Sequence, residues 1–201
     1  NTFLFALKGA SGLCFEPEPE NFRRLAALYR WQRRVECIAE GLSDAAGHLS
    51  LRCDGLLSTI PSTEDASLAP LLAAWRTPQA PMTTVTVNTL THWLGRRPAF
   101  ASSDVISIDV EGHEWKVIQG IDWHTFPKPT RCFIIETHAC GQAGSWRHRN
   151  FEALNQLLIQ HGYHAKAESA NNTFWIHYDD ISPARLAAAR KHLPHYNWRP
   201  I

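Results

Sequence analysis

The chain has 201 residues, with 20 lysines and arginines against 19 aspartates and glutamates, so its net charge is +1 with neutral histidines. Hydrophobic residues make up 44% of the chain and charged residues 19%, a composition that excludes an intrinsically disordered protein. The small net charge argues against nucleic acid or an anionic membrane surface as a partner, because binding to either depends on a surplus of basic residues. At this length we expect one domain over residues 1–201.

Short apolar runs alternate with amphipathic segments along the chain, a pattern typical of an α/β fold. In the first half of the chain the pattern predicts, in order, a helix end at 2–8, a strand at 12–15, a helix at 19–31, a strand at 35–39, a turn at 41–44, strands at 48–53 and 85–87, and a helix at 89–94. In the second half it predicts a buried central strand at 104–109, a helix at 114–120, a buried strand at 131–136, a helix at 150–161, an antiparallel strand pair at 163–167 and 173–177, and a helix at 183–192. Four prolines and scattered serines and threonines predict an irregular insertion at about 57–82.

Five cysteines occur without the spacing of a zinc site or of a Cys-x-x-Cys redox pair. Cys14 and Cys132 lie inside apolar runs, which predicts small, buried, hydrophobic thiols. No apolar run reaches the ~18 residues of a membrane span, and the first residues lack the basic region of a signal peptide. We therefore expect a cytoplasmic protein without a membrane partner.

Acidic residues follow three of the predicted strands, at Glu16, at Asp109 with Glu111, and at Glu136. In open α/β sheets, ligands bind at the carboxyl ends of the strands. A carboxylate accepts two hydrogen bonds at once, so Glu16 at a strand end suits the two hydroxyls of a ribose. An acid also suits the N-terminus of the helix that begins near residue 19, so helix capping is the alternative for Glu16.

Six stretches of the chain share one family's pattern. One stretch carries Asp109-Val-Glu-Gly112 with the helix after it, and the others are residues 15–22, 41–47, 85–90, 134–138 and 172–174. Together they resemble the FkbM-type family of S-adenosylmethionine-dependent methyltransferases. The resemblance implies a class I methyltransferase fold, which is a Rossmann-like sheet flanked by helices with a final antiparallel hairpin.

The resemblance also implies the roles of particular residues. Glu16 would bind the ribose of S-adenosylmethionine, and Ser43 and Asp44 would lie near the adenine. Asp109 would sit beside the methionine part or the sulfonium, with Glu111 on the same face. The implied reaction is methylation of a hydroxyl on a small-molecule acceptor, a sugar or a secondary metabolite, with S-adenosylhomocysteine as product.

The chain departs from the family pattern at its start. The family's first strand and Gly-rich loop would come immediately before Asn1, and they are absent from this sequence. That strand would lie between the strands that end at Glu16 and Asp109, so we expect the natural polypeptide to extend upstream. Since the glycine loop closely approaches the methionine end of the cofactor, this chain alone is expected to bind cofactor poorly.

An alcohol acceptor must lose a proton, so the reaction favours a general base. His138 and His113 are the candidates, and each follows an acidic residue by two positions. This spacing places His138 on the same face as Glu136, a further catalytic candidate. The alternatives are a solvent-facing loop position for His138 and a surface position for His113.

Two other functions stay open at this point. Asp109, Glu111, Glu136 and His138 offer oxygen and nitrogen ligands for a metal-dependent hydrolase or a metal-assisted transferase, although the leading hypothesis involves no metal. A non-catalytic nucleoside-binding module is the other alternative.

Overall fold

The computed structural model describes residues 3–55, 58–61, 77–126, 130–137, 146–168, 172–180, 182–192 and 197–198. The chain divides into two compact units, the first formed by Asn1–Ala101 and Glu111–Phe126, the second by Ser102–Val110 and Pro127–Ile201. Residues 62–76, the larger part of the predicted insertion, lie outside the described residues. None of the described helices is long and apolar enough to cross a lipid bilayer.

The first unit has a parallel strand pair and a separate three-stranded sheet. The elements of this unit are α1 (Phe3–Leu7), β1 (Gly12–Phe15), α2 (Pro19–Tyr29), β2 (Val35–Ile38), β3 (Gly41–Leu42), β4 (Gly47–Arg52), β5 (Met82–Asn88), α3 (Leu90–Arg96), a 3₁₀ turn (Pro98–Phe100) and α4 (Glu114–Gln119). In the pair, β1 runs beside β2 with Cα partners from Gly12 and Val35 to Phe15 and Ile38. In the three-stranded sheet, β5 lies in the middle, antiparallel to β4 and parallel to β3.

Side chains explain where two helices of the first unit, α2 and α3, begin. The Thr89 side chain accepts a hydrogen bond from the His92 backbone and so caps α3. Pro19 opens α2, where a missing backbone N–H costs nothing. Between β4 and β5 the buried residues Leu51, Val85 and Val87 form a small core.

The second unit is built on one mixed sheet. The elements of this unit are β6 (Val105–Ile108), β7 (Cys132–Glu136), α5 (Trp146–Gln160), β8 (Tyr163–Glu168), β9 (Asn172–His177), a 3₁₀ turn (Tyr178–Asp180), α6 (Pro183–His192) and β10 (Asn197–Trp198). The strands lie in the order β10-β8-β9-β7-β6, with β6 and β7 parallel and the other neighbouring pairs antiparallel.

Aromatic side chains fill the core of the second unit. Trp175 and Phe133 are fully buried, and the Phe133 ring meets the Tyr163 ring edge-on at 5.0 Å between centroids. The buried indole of Trp175 donates a hydrogen bond to Asn155 Oδ1 at 3.1 Å, so α5 supplies the partner that a buried N–H needs.

The predicted α/β class is confirmed, with parallel and antiparallel strands and helices in both units. The final antiparallel hairpin is present as β8 and β9. Residues 41–44 were predicted as a turn, but Gly41–Leu42 is a short strand, because β5 provides it with a pairing partner. The strand predicted as central, β6, is at an end of its sheet, since β7 is its one neighbour among the described strands.

Gly120 ends α4 at a point where two backbone segments come very close. A Cβ atom built on Gly120 would collide with the carbonyl oxygen of Ser43 and lie 3.0 Å from the Cα atom of Asp44. Glycine is therefore required here because a side chain would have no space. Its φ of −75° is an ordinary value that other residues also adopt.

We expect Gly120→Ala to lower the free energy of unfolding by about 1–3 kcal/mol, because the backbone at 43–44 must move to admit the methyl group. Gly95→Ala is the matched control, because a Cβ atom built on Gly95 in α3 would have no neighbouring atom within 4 Å. That control is expected to leave stability unchanged or to raise it by up to about 1 kcal/mol. Urea denaturation of both variants is the measurement. Equal free energies of unfolding in the two variants would contradict the close approach of Gly120 to the backbone at 43–44.

Candidate active site

Glu16 lies directly after β1, at the carboxyl end of the parallel pair. Its backbone N–H donates to the carbonyl oxygen of Ile38 at 3.1 Å, which extends the ladder by one residue. Its Oε1 accepts a hydrogen bond from the Glu18 N–H at 2.8 Å, whereas Oε2 accepts none from the described residues. Burial raises the pKa of Glu16, the Glu18 N–H lowers it, and the negative charge of Glu18 raises it further. Glu16 is thus a half-buried carboxylate with one oxygen that the described part of the chain leaves open to a ligand.

Glu18 is the cap of α2, a role that the sequence reasoning left open for Glu16. Its carboxylate accepts hydrogen bonds from the Glu20 N–H at 3.1 Å and from the Asn21 N–H at 2.6 Å. The capping alternative for Glu16 is therefore wrong. The available signal was the position of Glu18 immediately before Pro19, a residue typical of the first helical position.

The loop after β3 is tied to α4 by a chain of polar contacts. The Ser43 N–H donates to the carbonyl oxygen of Asn88 at 2.9 Å, and the Ser43 hydroxyl donates to Asp44 Oδ1 at 3.0 Å. His113 Nε2 lies 2.9 Å from Ser43 Oγ, and Lys116 Nζ donates to Asp44 Oδ2 at 2.7 Å. The hydrogen bond from Lys116 lowers the pKa of Asp44 against the opposing effect of burial. Two predicted cofactor residues, Ser43 and Asp44, and one predicted base, His113, are thus in direct contact.

His113 is buried, with 5% of its surface exposed, so the surface alternative for it is wrong. Since the single hydroxyl hydrogen of Ser43 goes to Asp44, His113 must donate from Nε2, and the lone pair of the neutral ring is on Nδ1. Nδ1 has no hydrogen-bond partner within the part of the chain that the structure describes. Burial lowers the pKa of His113 to about 4, the charge of Asp44 raises it, and that of Lys116 lowers it. A neutral, weakly basic ring suits a positioning role better than proton abstraction at neutral pH.

Glu111 and Gly112 turn the backbone ahead of α4. Both residues have a positive φ, 53° at Glu111 and 102° at Gly112. A positive φ is rare for a residue with a side chain, such as Glu111. The Glu111 carbonyl oxygen accepts from Thr59 Oγ1 at 3.1 Å, and the Gly112 N–H donates to Glu114 Oε1 at 3.1 Å. The surrounding residues therefore hold this turn in a conformation that Glu111 would not adopt unaided.

Asp109 and Glu136 meet in the second unit. Asp109 is exposed and follows β6 directly, and Glu136 is buried at the end of β7, with 8% of its surface exposed. One ligand oxygen of each lies within 4.8 Å of the other, as expected for the carboxyl ends of neighbouring parallel strands. Two carboxylates at this separation favour a positive charge beside them.

The remaining candidates are distributed as follows. Glu111 belongs to the first unit, and His138 lies outside the described residues. The roles assigned to the candidate residues from the sequence stay predictions. Outside the predicted set, burial and the negative charges of Glu18 and Glu16 raise the pKa of the Cys53 thiol.

The low pKa of His113 makes stability depend on pH. In the unfolded chain the ring takes up a proton near its ordinary pKa of 6.5, whereas in the folded chain it does so near about 4. The free energy of unfolding should therefore fall by up to about 3 kcal/mol from this residue as the pH drops from 7.5 to 4. Chemical denaturation at several pH values measures the slope of the free energy of unfolding against pH.

His113→Asn should flatten this slope, whereas His48→Asn, at an exposed position in β4, should leave it as in the original chain. An unchanged slope in His113→Asn would contradict a buried neutral ring at position 113.

Comparison with known proteins places the chain in a family. No curated protein is similar enough to count as a match. Among solved structures, methyltransferase FkbM from Methylobacillus flagellatus KT is similar, with 14% sequence identity, a TM-score of 0.48, and a match that covers 83% of this chain and 36% of that chain. This chain thus spans about a third of the length of that protein's chain. The family model of the methyltransferase FkbM domain matches residues 1–165, and the chain accordingly belongs to the FkbM methyltransferase family.

Proposed function

We propose that this chain acts as an S-adenosylmethionine-dependent methyltransferase that methylates a hydroxyl on a sugar or a secondary metabolite. Its family membership supports methyl transfer over metal-dependent hydrolysis. The observation that carries the proposal is Glu16, a half-buried carboxylate with an available oxygen at the carboxyl end of a parallel strand pair. The small-molecule acceptor and the cytoplasmic location are parts of the same proposal.

The environment of Glu16 fits a ribose. The Glu18 N–H fixes one carboxylate oxygen, so the group is oriented before any ligand arrives. A hydroxyl pair donating to a carboxylate makes hydrogen bonds that are stronger than neutral ones, and partial burial shields them from water. Glu16 would hold the ribose of the cofactor in this way.

The loop at Ser43 and Asp44 would hold the adenine. Asp44 has acceptor capacity beyond its bonds to Ser43 and Lys116, and the exocyclic amino group of adenine is a donor. His113 would act on the adenine indirectly, since its contact with Ser43 fixes the loop. In this role His113 is a positioning residue.

The carboxylates of Asp109 and Glu136 would favour the positive groups of the cofactor, which are its sulfonium and its amino group. Glu111, with its left-handed backbone, would join the cofactor-binding residues. S-adenosylmethionine, when bound, supplies an electrophilic methyl group. The chain would supply orientation of the acceptor hydroxyl and a base for its proton, and for the base we keep His138, with Glu136 as a further candidate.

Glu16→Gln should weaken binding of S-adenosylhomocysteine by about 10-fold or more, since a hydrogen bond to a charged group contributes about 1.5–3 kcal/mol. Calorimetric titration of the natural polypeptide is the measurement. Glu20→Gln is the control, because Glu20 pairs with Arg23 and Arg24 on the surface of α2. No binding to the unaltered protein would refute the proposed cofactor. Binding without turnover on any hydroxyl acceptor would favour the non-catalytic nucleoside-binding module.

His138→Ala should lower kcat by about 100-fold or more and leave the affinity for S-adenosylhomocysteine within a few-fold, because a general base acts on the acceptor. Steady-state kinetics and calorimetry on the same protein separate the two quantities. A collapse of cofactor affinity would instead place His138 among the cofactor-binding residues.

A further inference from the structure

Two cysteines lie side by side in the β1–β2 ladder of the first unit. Cys14 of β1 and Cys37 of β2 are Cα partners in the parallel register, one pair before Phe15 and Ile38. The sequence placed them 23 residues apart and gave no sign of the pairing, because the register of the two strands is what brings them together.

The two thiols lie on the same face of the strand pair. Successive side chains of a strand point to opposite faces. The Phe15 ring meets the Trp93 ring at 5.9 Å, so the face that carries Phe15 is directed toward α3. Cys14 and its register partner Cys37 therefore lie together on the opposite face.

The separation suits a disulfide. Neighbouring strands of a sheet lie about 4.8 Å apart, and disulfides join Cα atoms about 4.4–6.8 Å apart, so a bridge needs no large movement of the backbone. Burial and, in addition, the charge of Cys14 raise the pKa of Cys37.

Both thiols are partly exposed. Cys132 of β7 is also partly exposed, but burial raises its pKa to about 12 and so suppresses its thiolate. A small oxidant should therefore react at the strand pair in preference to β7.

We propose that Cys14 and Cys37 form a thiol modification site, a dithiol that a disulfide oxidant such as oxidised glutathione converts to a cross-strand disulfide. One thiolate attacks a sulfur of oxidised glutathione, which forms a mixed disulfide and releases one glutathione thiolate. The second cysteine then loses its proton, attacks the protein sulfur of that mixed disulfide and releases the second glutathione. The two cysteines are oxidised and one oxidised glutathione is reduced to two thiols. This inference does not rest on the proposed methyltransferase activity.

The test is incubation of the native protein with oxidised glutathione, followed by mass spectrometry and non-reducing peptide mapping. We expect a loss of about 2 Da, the two thiol hydrogens, and one linked peptide pair that contains Cys14 and Cys37. In urea the preference for this pair should disappear, because the strand register is lost. Stable glutathione adducts, bridges to Cys53, Cys132 or Cys140, or the same products in urea as in the native protein would overturn the proposal.

Matched variants separate the pair from its neighbours. Cys14→Ser and Cys37→Ser should each stop at a single glutathione adduct on the remaining partner, with far-UV circular dichroism as the check on folding. Cys132→Ser should still form the Cys14–Cys37 bridge at the rate of the original chain. A cross-link that persists in either single variant of the pair would overturn the assignment.

Discussion

The buried hydrogen bond between Ser43 and His113 is the constraint on which the site of the first unit depends. It joins two segments that are 70 residues apart in sequence, the loop after β3 and the start of α4, at 2.9 Å. Asp44 and Lys116 extend it toward solvent, and Gly120 closes the other end of α4 onto the same loop. Since leaving one buried partner unpaired costs about 1–3 kcal/mol, Ser43 and His113 stabilise the fold as a pair.

The acidic residues of the chain act in two different electrostatic settings. Glu16 is raised in pKa by burial and accepts a backbone hydrogen bond, which suits recognition of neutral hydroxyls. Asp109 and Glu136 stand near each other at neighbouring strand ends, which suits recognition of a cation. Strand ends that look alike in the sequence, each an apolar run followed by an acid, thus provide different chemistry because their surroundings differ.

Local sequence patterns were enough to predict those elements whose boundaries depend on their own residues. The helix Pro183–His192 was predicted with both of its ends, since proline marks its first position. The acids at strand ends, such as Asp109, were found by their position after an apolar run. Gly41–Leu42 and the burial of His113 were not found, because each is decided by a partner far along the chain, β5 in one case and Ser43 in the other. Propensity contains no information about such distant partners.

The left-handed conformation of Glu111 lowers stability at a position that we propose for cofactor binding. A residue with a side chain pays about 1–3 kcal/mol in this region of φ, a cost that glycine would avoid. Glycine at 111 would also remove a carboxylate from the stretch that joins Asp109 to α4. Selection of variants for heat resistance alone should therefore drift toward glycine at 111, whereas selection for the proposed methyl transfer should keep the acid and tolerate the less stable protein.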